Sequence, residues 1–152
     1  MIVDLLNKHL PLELTAHVRY SGHAQLLDFH GYKKLAEKYE EEAAEELGHA
    51  NKIIRRIKQL DGSPAYLGPL MGETVAKCDV KLILTTDLET EQAVLESLTE
   101  VNNVAEGKET DYETSNVLRE LIHDTEDHVT WLTQQLDLIE DLGLQNYLQA
   151  PL

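Results

Sequence analysis

At 152 residues the chain is long enough to bury a core as a single domain, residues 1–152, and its one cysteine, Cys78, excludes an internal disulfide, a CxxC redox pair and a cysteine-ligated iron–sulfur cluster. Its 28 Asp and Glu outnumber its 13 Lys and Arg, and the formal charge of −15 argues against nucleic acid or an anionic membrane surface as the main partner and favours cations. No apolar run approaches the roughly 20 residues of a membrane helix, and the start of the chain lacks the regions of a signal peptide, so we expect a soluble, cytoplasmic protein.

Glycine and proline interrupt the chain at a few points, and the stretches between them are rich in Leu, Glu, Ala and Lys, which favour helices. They predict four long helices, over about 4–29, 33–60, 73–104 and 108–142, and a short fifth helix over 144–149. Pro11 should bend the first helix or mark its first turn. The segment 63–72 has no helical period, and its length suits a crossover along a helical bundle. The expected fold is therefore an all-α four-helix bundle.

Each long helix carries an apolar stripe at a spacing of three or four residues, and polar residues interrupt each stripe near its middle. The interruptions are Glu13 in the first helix, Glu46 and His49 in the second, Glu91 in the third, and Thr125 and His128 in the fourth. Glu46 and His49 form an ExxH motif, which places both side chains on one face. Because a buried carboxylate is costly unless it is paired or bound to metal, these residues indicate a shared two-metal site in the bundle core.

Other histidines near these stripes have simpler interpretations. A second ExxH sequence, Glu120 to His123, falls on a polar row of the fourth helix, and we interpret it as a solvated surface pair. For His128, a hydrogen-bonded core histidine is the alternative to a metal ligand. Three further histidines flank Glu13 on the first helix and are interpreted as interface or core polar residues: His9, His17 and His23.

Several segments carry a resemblance to a known family. They are residues 5–8 and 13–16, the run Glu46-Leu47-Gly48-His49-Ala50, and the closely similar stretches 128–132, 136–139 and 143–149. On these residues the chain resembles the bacterioferritin family over nearly its whole length. The resemblance implies a ferritin-like four-helix bundle with a long crossover between the second and third helices. It also implies a hollow 24-subunit shell, built from dimers, that oxidises Fe(II) at an intrasubunit di-iron site and stores ferric mineral.

The resemblance also implies roles for individual residues. Glu13 and His49 would ligate the first iron, Glu46 would bridge the two irons, and Glu91 and His128 would ligate the second. Tyr20 would lie close enough to give a hydrogen bond or an electron. Iron suits such a mixed set of carboxylates and imidazoles.

One departure from the family's pattern lies in the site itself. Thr125 stands where the family has a second bridging glutamate. Four carboxylates neutralise two divalent ions, whereas the three remaining glutamates leave an excess of about +1, so we expect the second iron to bind more weakly. A local rotation or bulge of the helix would bring the carboxylate of Asp124 or Glu126 to the place of the missing bridging glutamate. We favour a water or hydroxide beside Thr125 as the replacement ligand.

Other departures lie on the surface. Leu47 occupies the place of the family's haem-ligating methionine and has no donor atom, so we expect no haem in that mode and an apolar dimer contact there. His30 stands where the family has a tryptophan near the end of the first helix. Glu41, Glu42 and Glu45 are candidates for lining the inner surface, where they would help to nucleate mineral. For Glu41 and Glu45 the alternative is an ordinary solvated acidic face.

Two functions remain open from the sequence. The first is an iron-storing ferroxidase that uses O2 or H2O2. The second is a structural or metal-binding shell subunit with weak or no ferroxidase activity, because of Thr125, that assembles alone or with a second subunit type. The missing cysteine cluster disfavours a rubrerythrin-like peroxidase, and a site within one chain disfavours a DNA-protecting shell.

Overall fold

The computed structural model describes residues 1–65, 75 and 77–149, and this part of the chain contains helices and no strands. Five helices follow one another: α1 (Ile2–Phe29), α2 (Lys33–Gln59), α3 (Val80–Ala105), α4 (Tyr112–Leu142) and α5 (Leu144–Gln149). The expected all-α class and the number of helices are confirmed. The helix continues through Pro11 from a start at Ile2, so Pro11 does not mark a first turn.

The starts of α3 and α4 differ from the sequence prediction, which placed them near residues 73 and 108. Both helices begin instead directly after an aspartate whose carboxylate accepts a hydrogen bond from the first turn. Asp79 accepts from the Leu82 backbone N–H and Asp111 from that of Thr114, each at 3.0 Å. Such N-caps satisfy donors that a helix cannot pair internally, so they fix the starts where apolar periodicity cannot.

α1 runs antiparallel to both of its neighbours, α2 and α3. Its first turns lie beside the end of α2, where Asn7 Nδ2 donates to the carbonyl of Ser63 at 3.0 Å. Residues later in α1 contact residues earlier in α3. His9 contacts Ser97, whereas Tyr20 contacts Glu91.

α4 is antiparallel to α2 and α3 in the same way. Arg56, near the end of α2, pairs at 3.0 Å with Asp111 at the start of α4, and Ser115 donates to Asn102 near the end of α3. α2 and α3 are therefore parallel, and their connection has to travel the length of the bundle. Its described ends fit this path, since Ala65 N donates to the Asn7 side chain whereas Val75 N donates to His23 Nε2. Most of the predicted crossover, residues 66–72, lies outside the described residues.

A layer of buried polar side chains crosses the middle of the bundle and contains Glu13, Glu46, His49, Glu91 and His128. Two apolar clusters fill the bundle, one on each side of this polar layer. One cluster is centred on side chains such as Leu27, Tyr39 and Leu132, the other on side chains such as Leu10 and Leu98. Burial of each such side chain contributes about 1.5–3 kcal/mol, so the two clusters can carry the cost of burying charge between them.

The end of the fold is defined by α5. Gly143 has a φ of 79°, a left-handed conformation that glycine adopts without strain, and it ends α4 and starts α5. Tyr147 is buried, and its hydroxyl donates to Gln135 Oε1 at 2.7 Å. Among the described residues, no helix is both long enough and apolar enough to cross a membrane.

Candidate metal centre

The polar layer brings together the five residues that the sequence predicted as ligands, one or two from each long helix. They form two overlapping groups whose donor atoms lie within 4.8 Å of one another. The groups are Glu13, Glu46 and His49, and Glu46, Glu91 and His128. Because Glu46 belongs to both groups, the layer could hold two adjacent cations with one carboxylate between them.

Distances within the layer show which atoms face each other. His49 Nδ1 lies 3.6 Å from Glu13 Oε2 and 3.6 Å from Glu46 Oε2. In the other group, His128 Nδ1 lies 3.0 Å from Glu91 Oε1. Tyr20 donates a hydrogen bond to that same Glu91 oxygen at 2.6 Å.

Several buried carboxylate oxygens and ring nitrogens in this layer have no hydrogen-bond partner within the described part of the chain. These atoms are Glu13 Oε2, Glu46 Oε2, Glu91 Oε2, His49 Nδ1, and both ring nitrogens of His128. Unsatisfied buried polar groups are rare and cost roughly 1–3 kcal/mol each, so a cluster of them in one place needs an explanation. Cations bound among these atoms would satisfy them, and a mixture of carboxylate oxygens and imidazole nitrogens suits iron.

The ionisable side chains of this layer lie close enough together to shift one another's pKa values. Burial, together with Glu13 and Glu91 nearby, raises the pKa of Glu46 well above its ordinary value. Although burial alone raises the pKa of Glu13, the neighbouring Glu46, His49 and His9 side chains bring it far below the usual range. These opposite pKa shifts favour the protonated form of Glu46 beside an ionised Glu13. Burial opposes a charge on His49, but the Glu13 and Asp124 carboxylates outweigh burial and raise its pKa to about 9. Cation binding must displace these protons.

A second set of residues holds the proposed ligands in place. His9 contacts Glu13 Oε1 through Nε2 at 2.7 Å and Ser97 through Nδ1 at 2.8 Å, which leaves Glu13 Oε2 for the site. On the outer side, His49 Nε2 lies 3.0 Å from Asp124 Oδ2 and is oriented by it.

Two of the flanking histidines are polar residues of the core, and the third, His17, is partly buried. His9 and His23 are fully buried, and His23 Nδ1 pairs with Asp87 Oδ2 at 2.8 Å. His17 Nδ1 lies 2.6 Å from the carbonyl oxygen of Ala43. Asp87 was missed by the sequence reasoning, although its position four residues before Glu91 puts it on the same helical face.

Known proteins similar to this chain match it over nearly their whole length. A family profile described as a ferritin-like domain matches residues 3–142. A bacterial ferritin of Neisseria meningitidis serogroup B is 39% identical over 152 residues, which cover 99% of this chain and 96% of the relative. A bacterial ferritin of Paramagnetospirillum magnetotacticum is 38% identical, with 98% and 90% covered. A bacterioferritin of Brucella melitensis biotype 1 is 36% identical, with 96% and 89% covered.

The chain belongs to the bacterioferritin family. This membership confirms the resemblance seen in the sequence, the ferritin-like four-helix bundle and, at the level of the family, the expectation of iron storage.

Thr125, the departure from the family's pattern, is fully buried in the polar layer. Its hydroxyl donates to the carbonyl of Leu121 at 2.7 Å, so it offers the site only a neutral oxygen. α4 is regular around this position. Asp124 points to His49 and Glu126 is exposed, so neither fills the gap.

Glu42 is a residue whose position the sequence reasoning misjudged. It was grouped with Glu41 and Glu45 as an inner-surface residue, but only 5% of it is exposed, and its Oε2 lies 3.2 Å from His128 Nδ1. The signal was present, because Glu42 precedes Glu46 by four residues on the same apolar stripe. Glu41 and Glu45 are exposed.

The remaining surface predictions can be located directly. Glu120 and His123 are exposed; Glu120 pairs with Lys52, and His123 lies 3.5 Å from Asp127, so the second ExxH sequence is a surface feature as predicted. Leu47 is 40% exposed on α2.

Proposed function

We propose that this chain binds Fe(II) in the polar layer, catalyses its oxidation by O2 or H2O2, and stores the ferric product inside a hollow oligomeric shell. The observation that carries the proposal is the group of unpartnered, buried donor atoms on four helices of one chain. Membership of the bacterioferritin family supports the same function.

Each ligand has a role that fits its surroundings. Glu13 and His49 bind the first ion, because both belong to one donor group. Glu91 and His128 bind the second ion, and Glu46, common to both groups, bridges the pair. Asp124 fixes the orientation of His49 and leaves its Nδ1 free for metal.

Two Fe(II) ions held side by side give up one electron each, and the pair of electrons with two protons reduces O2 to H2O2, or H2O2 to water. The chain keeps bulk water away from this step, since the layer is buried between two apolar clusters. Tyr20 holds one oxygen of Glu91 with its hydroxyl, so Glu91 presents its other oxygen to the ion. Burial and the neighbouring Glu91 raise the pKa of Tyr20 well above its ordinary value, so Tyr20 acts as a neutral donor.

The same proposal covers assembly and location. We expect a shell of 24 subunits built from dimers in the cytoplasm, without haem at Leu47, because leucine offers no ligand atom. Exposed apolar side chains, Leu47 and Val18, are suited to packing at such a dimer contact. The charge of −15 favours cations over nucleic acid or membrane lipid as partners.

A second candidate function rests on Thr125, whose neutral, internally bonded hydroxyl leaves the layer short of one carboxylate. In this alternative the chain is a structural or metal-binding shell subunit with weak or no ferroxidase activity, alone or together with a second subunit type.

Anaerobic titration of the assembled, metal-free protein with Fe(II), followed by admission of O2, separates the two functions. The ferroxidase binds two irons per subunit and oxidises them faster than buffer does. The Glu91→Gln variant should lose the second iron and the fast oxidation. The Glu89→Gln variant, which removes an exposed charge two residues away, should lose neither. One iron or fewer, oxidised no faster than in buffer, supports the alternative and refutes the ferroxidase.

A further inference from the structure

The second cation position lacks a negative charge at the point where α4 contributes Thr125. Glu13, Glu46 and Glu91 carry three charges, whereas two divalent ions carry four. In a buried layer this imbalance weakens binding, because charges are poorly screened there. A fourth carboxylate within reach of the second position would remove the imbalance.

Glu42 has the location that this role requires. It lies one turn before Glu46 on the same face of α2, and only 5% of it is exposed. Its Oε2 is 3.2 Å from His128 Nδ1, and Glu91 Oε1 is 3.0 Å from the same nitrogen. A carboxylate on α2 and one on α3 therefore converge on a single ring nitrogen of α4.

His128 provides an independent sign that a ligand belongs at this point. It is 3% exposed, and neither of its ring nitrogens makes a hydrogen bond within the described residues. An imidazole that is buried without hydrogen bonds, and that has two carboxylates within 3.2 Å, is suited to binding a cation.

Lys38 explains how Glu42 remains buried when no cation is bound. Its Nζ pairs with Glu42 Oε1 at 2.8 Å, and the lysine side chain is 31% exposed. The same Nζ lies 5.2 Å from the centre of the Trp131 ring. Lys38 thus holds the outer oxygen of Glu42 from the solvent side, and Oε2 stays directed towards His128.

We propose that Glu42 is the fourth carboxylate of this centre and ligates the second ion together with Glu91 and His128. This inference rests on the proposed function, since it assumes that the layer binds two cations. Glu42 restores the four negative charges from α2, and Lys38 is its counter-ion in the metal-free protein.

Anaerobic titration of the assembled, metal-free protein with Co(II) tests the inference without any turnover, because ligation changes the visible absorption of Co(II). The wild-type protein should bind two Co(II) per subunit. In Glu42→Gln the affinity for the second Co(II) should fall at least about 10-fold, with the first unchanged. The matched control Glu40→Gln removes an exposed charge from the same helix and should bind both ions as the wild type does.

A second variant, Glu42→Asp, keeps the charge and withdraws the oxygens by one methylene group, and it serves equally if Glu42→Gln does not assemble. Direct ligation predicts weaker binding of the second Co(II) and an altered spectrum. Unchanged binding and spectrum in Glu42→Asp overturn the inference.

Three other outcomes are distinct. Two tightly bound ions in Glu42→Gln overturn the inference and leave the proposed function standing. A single Co(II) in the wild type also overturns it, because Glu42 then completes no second position. No bound Co(II) in the wild type refutes the proposed function itself.

Discussion

Replacing Glu46 by glutamine should stabilise the metal-free protein, although the same change should destroy the metal centre. Glu46 lies between Glu13 and Glu91, and its Oε2 has no hydrogen-bond partner among the described residues. A neutral amide of nearly the same shape removes a carboxyl group that can ionise in the unfolded chain but is held from ionising in this position. A buried group of this kind costs about 1–3 kcal/mol, and a chain of this length gains roughly 2–4 °C in Tm per kcal/mol.

The Tm advantage of Glu46→Gln over the wild type should increase with pH. Because the pKa of Glu46 is raised above its value of 4.5 in the unfolded chain, its carboxyl group opposes folding only above pH 4.5. The cost then grows as pH rises towards the folded pKa. The Tm advantage of Glu46→Gln should therefore be small near pH 4.5 and larger at pH 8.

Thermal unfolding of both proteins at one protein concentration, with a chelator present, measures this advantage. Co(II) at about 100 times its Kd should then stabilise the wild type by about 2.7 kcal/mol and the variant by much less. The exposed Glu40→Gln serves as the control. A metal-free Glu46→Gln that unfolds below the wild type at pH 8, or an advantage that does not grow with pH, refutes the reasoning.

Three further changes test the supports of the centre. Asp124→Asn weakens the orientation of His49, so the affinity for the first Co(II) should fall about 10-fold in an anaerobic titration. Tyr20→Phe removes the hydrogen bond to Glu91, and Fe(II) oxidation, followed by ferric absorbance, should slow while metal stoichiometry is kept. Asp111→Ala removes the cap of α4 and should cost about 1 kcal/mol in the free energy of unfolding. Burial raises the pKa of Asp111, but hydrogen bonds with Thr114 and the nearby Arg56 together outweigh it and lower the pKa, so this loss should shrink as pH falls below 3.8.

Each of these changes has a contradicting result. Unchanged Co(II) affinity in Asp124→Asn means that packing alone orients the imidazole. Oxidation at the wild-type rate in Tyr20→Phe means that Glu91 needs no fixed orientation. An Asp111→Ala protein as stable as the wild type at pH 7 means that other groups satisfy the first turn of α4.

The helices and the ligand-bearing faces could be predicted because they are local properties. The period of Leu, Ile and Ala along each stripe indicates a helix face, and the interruption at Glu13 or Glu91 lies on that face whatever packs against it. The same local period does not fix a helix start. The starts at Val80 and Tyr112 depend on whether Asp79 and Asp111 turn their carboxylates back onto the first turn, and this was missed.

The sequence by itself determined that the chain is all-α, that polar residues interrupt four apolar stripes at one level, and that Thr125 breaks the family's pattern. Only the tertiary structure decided which carboxylates share that level. Asp124 lies beside Thr125 in sequence yet points to the outer nitrogen of His49, whereas Glu42, on another helix, points to His128. The physical reason is that spacing along a helix fixes the direction of a side chain about its own axis, while the distance between atoms of different helices depends on how the helices pack.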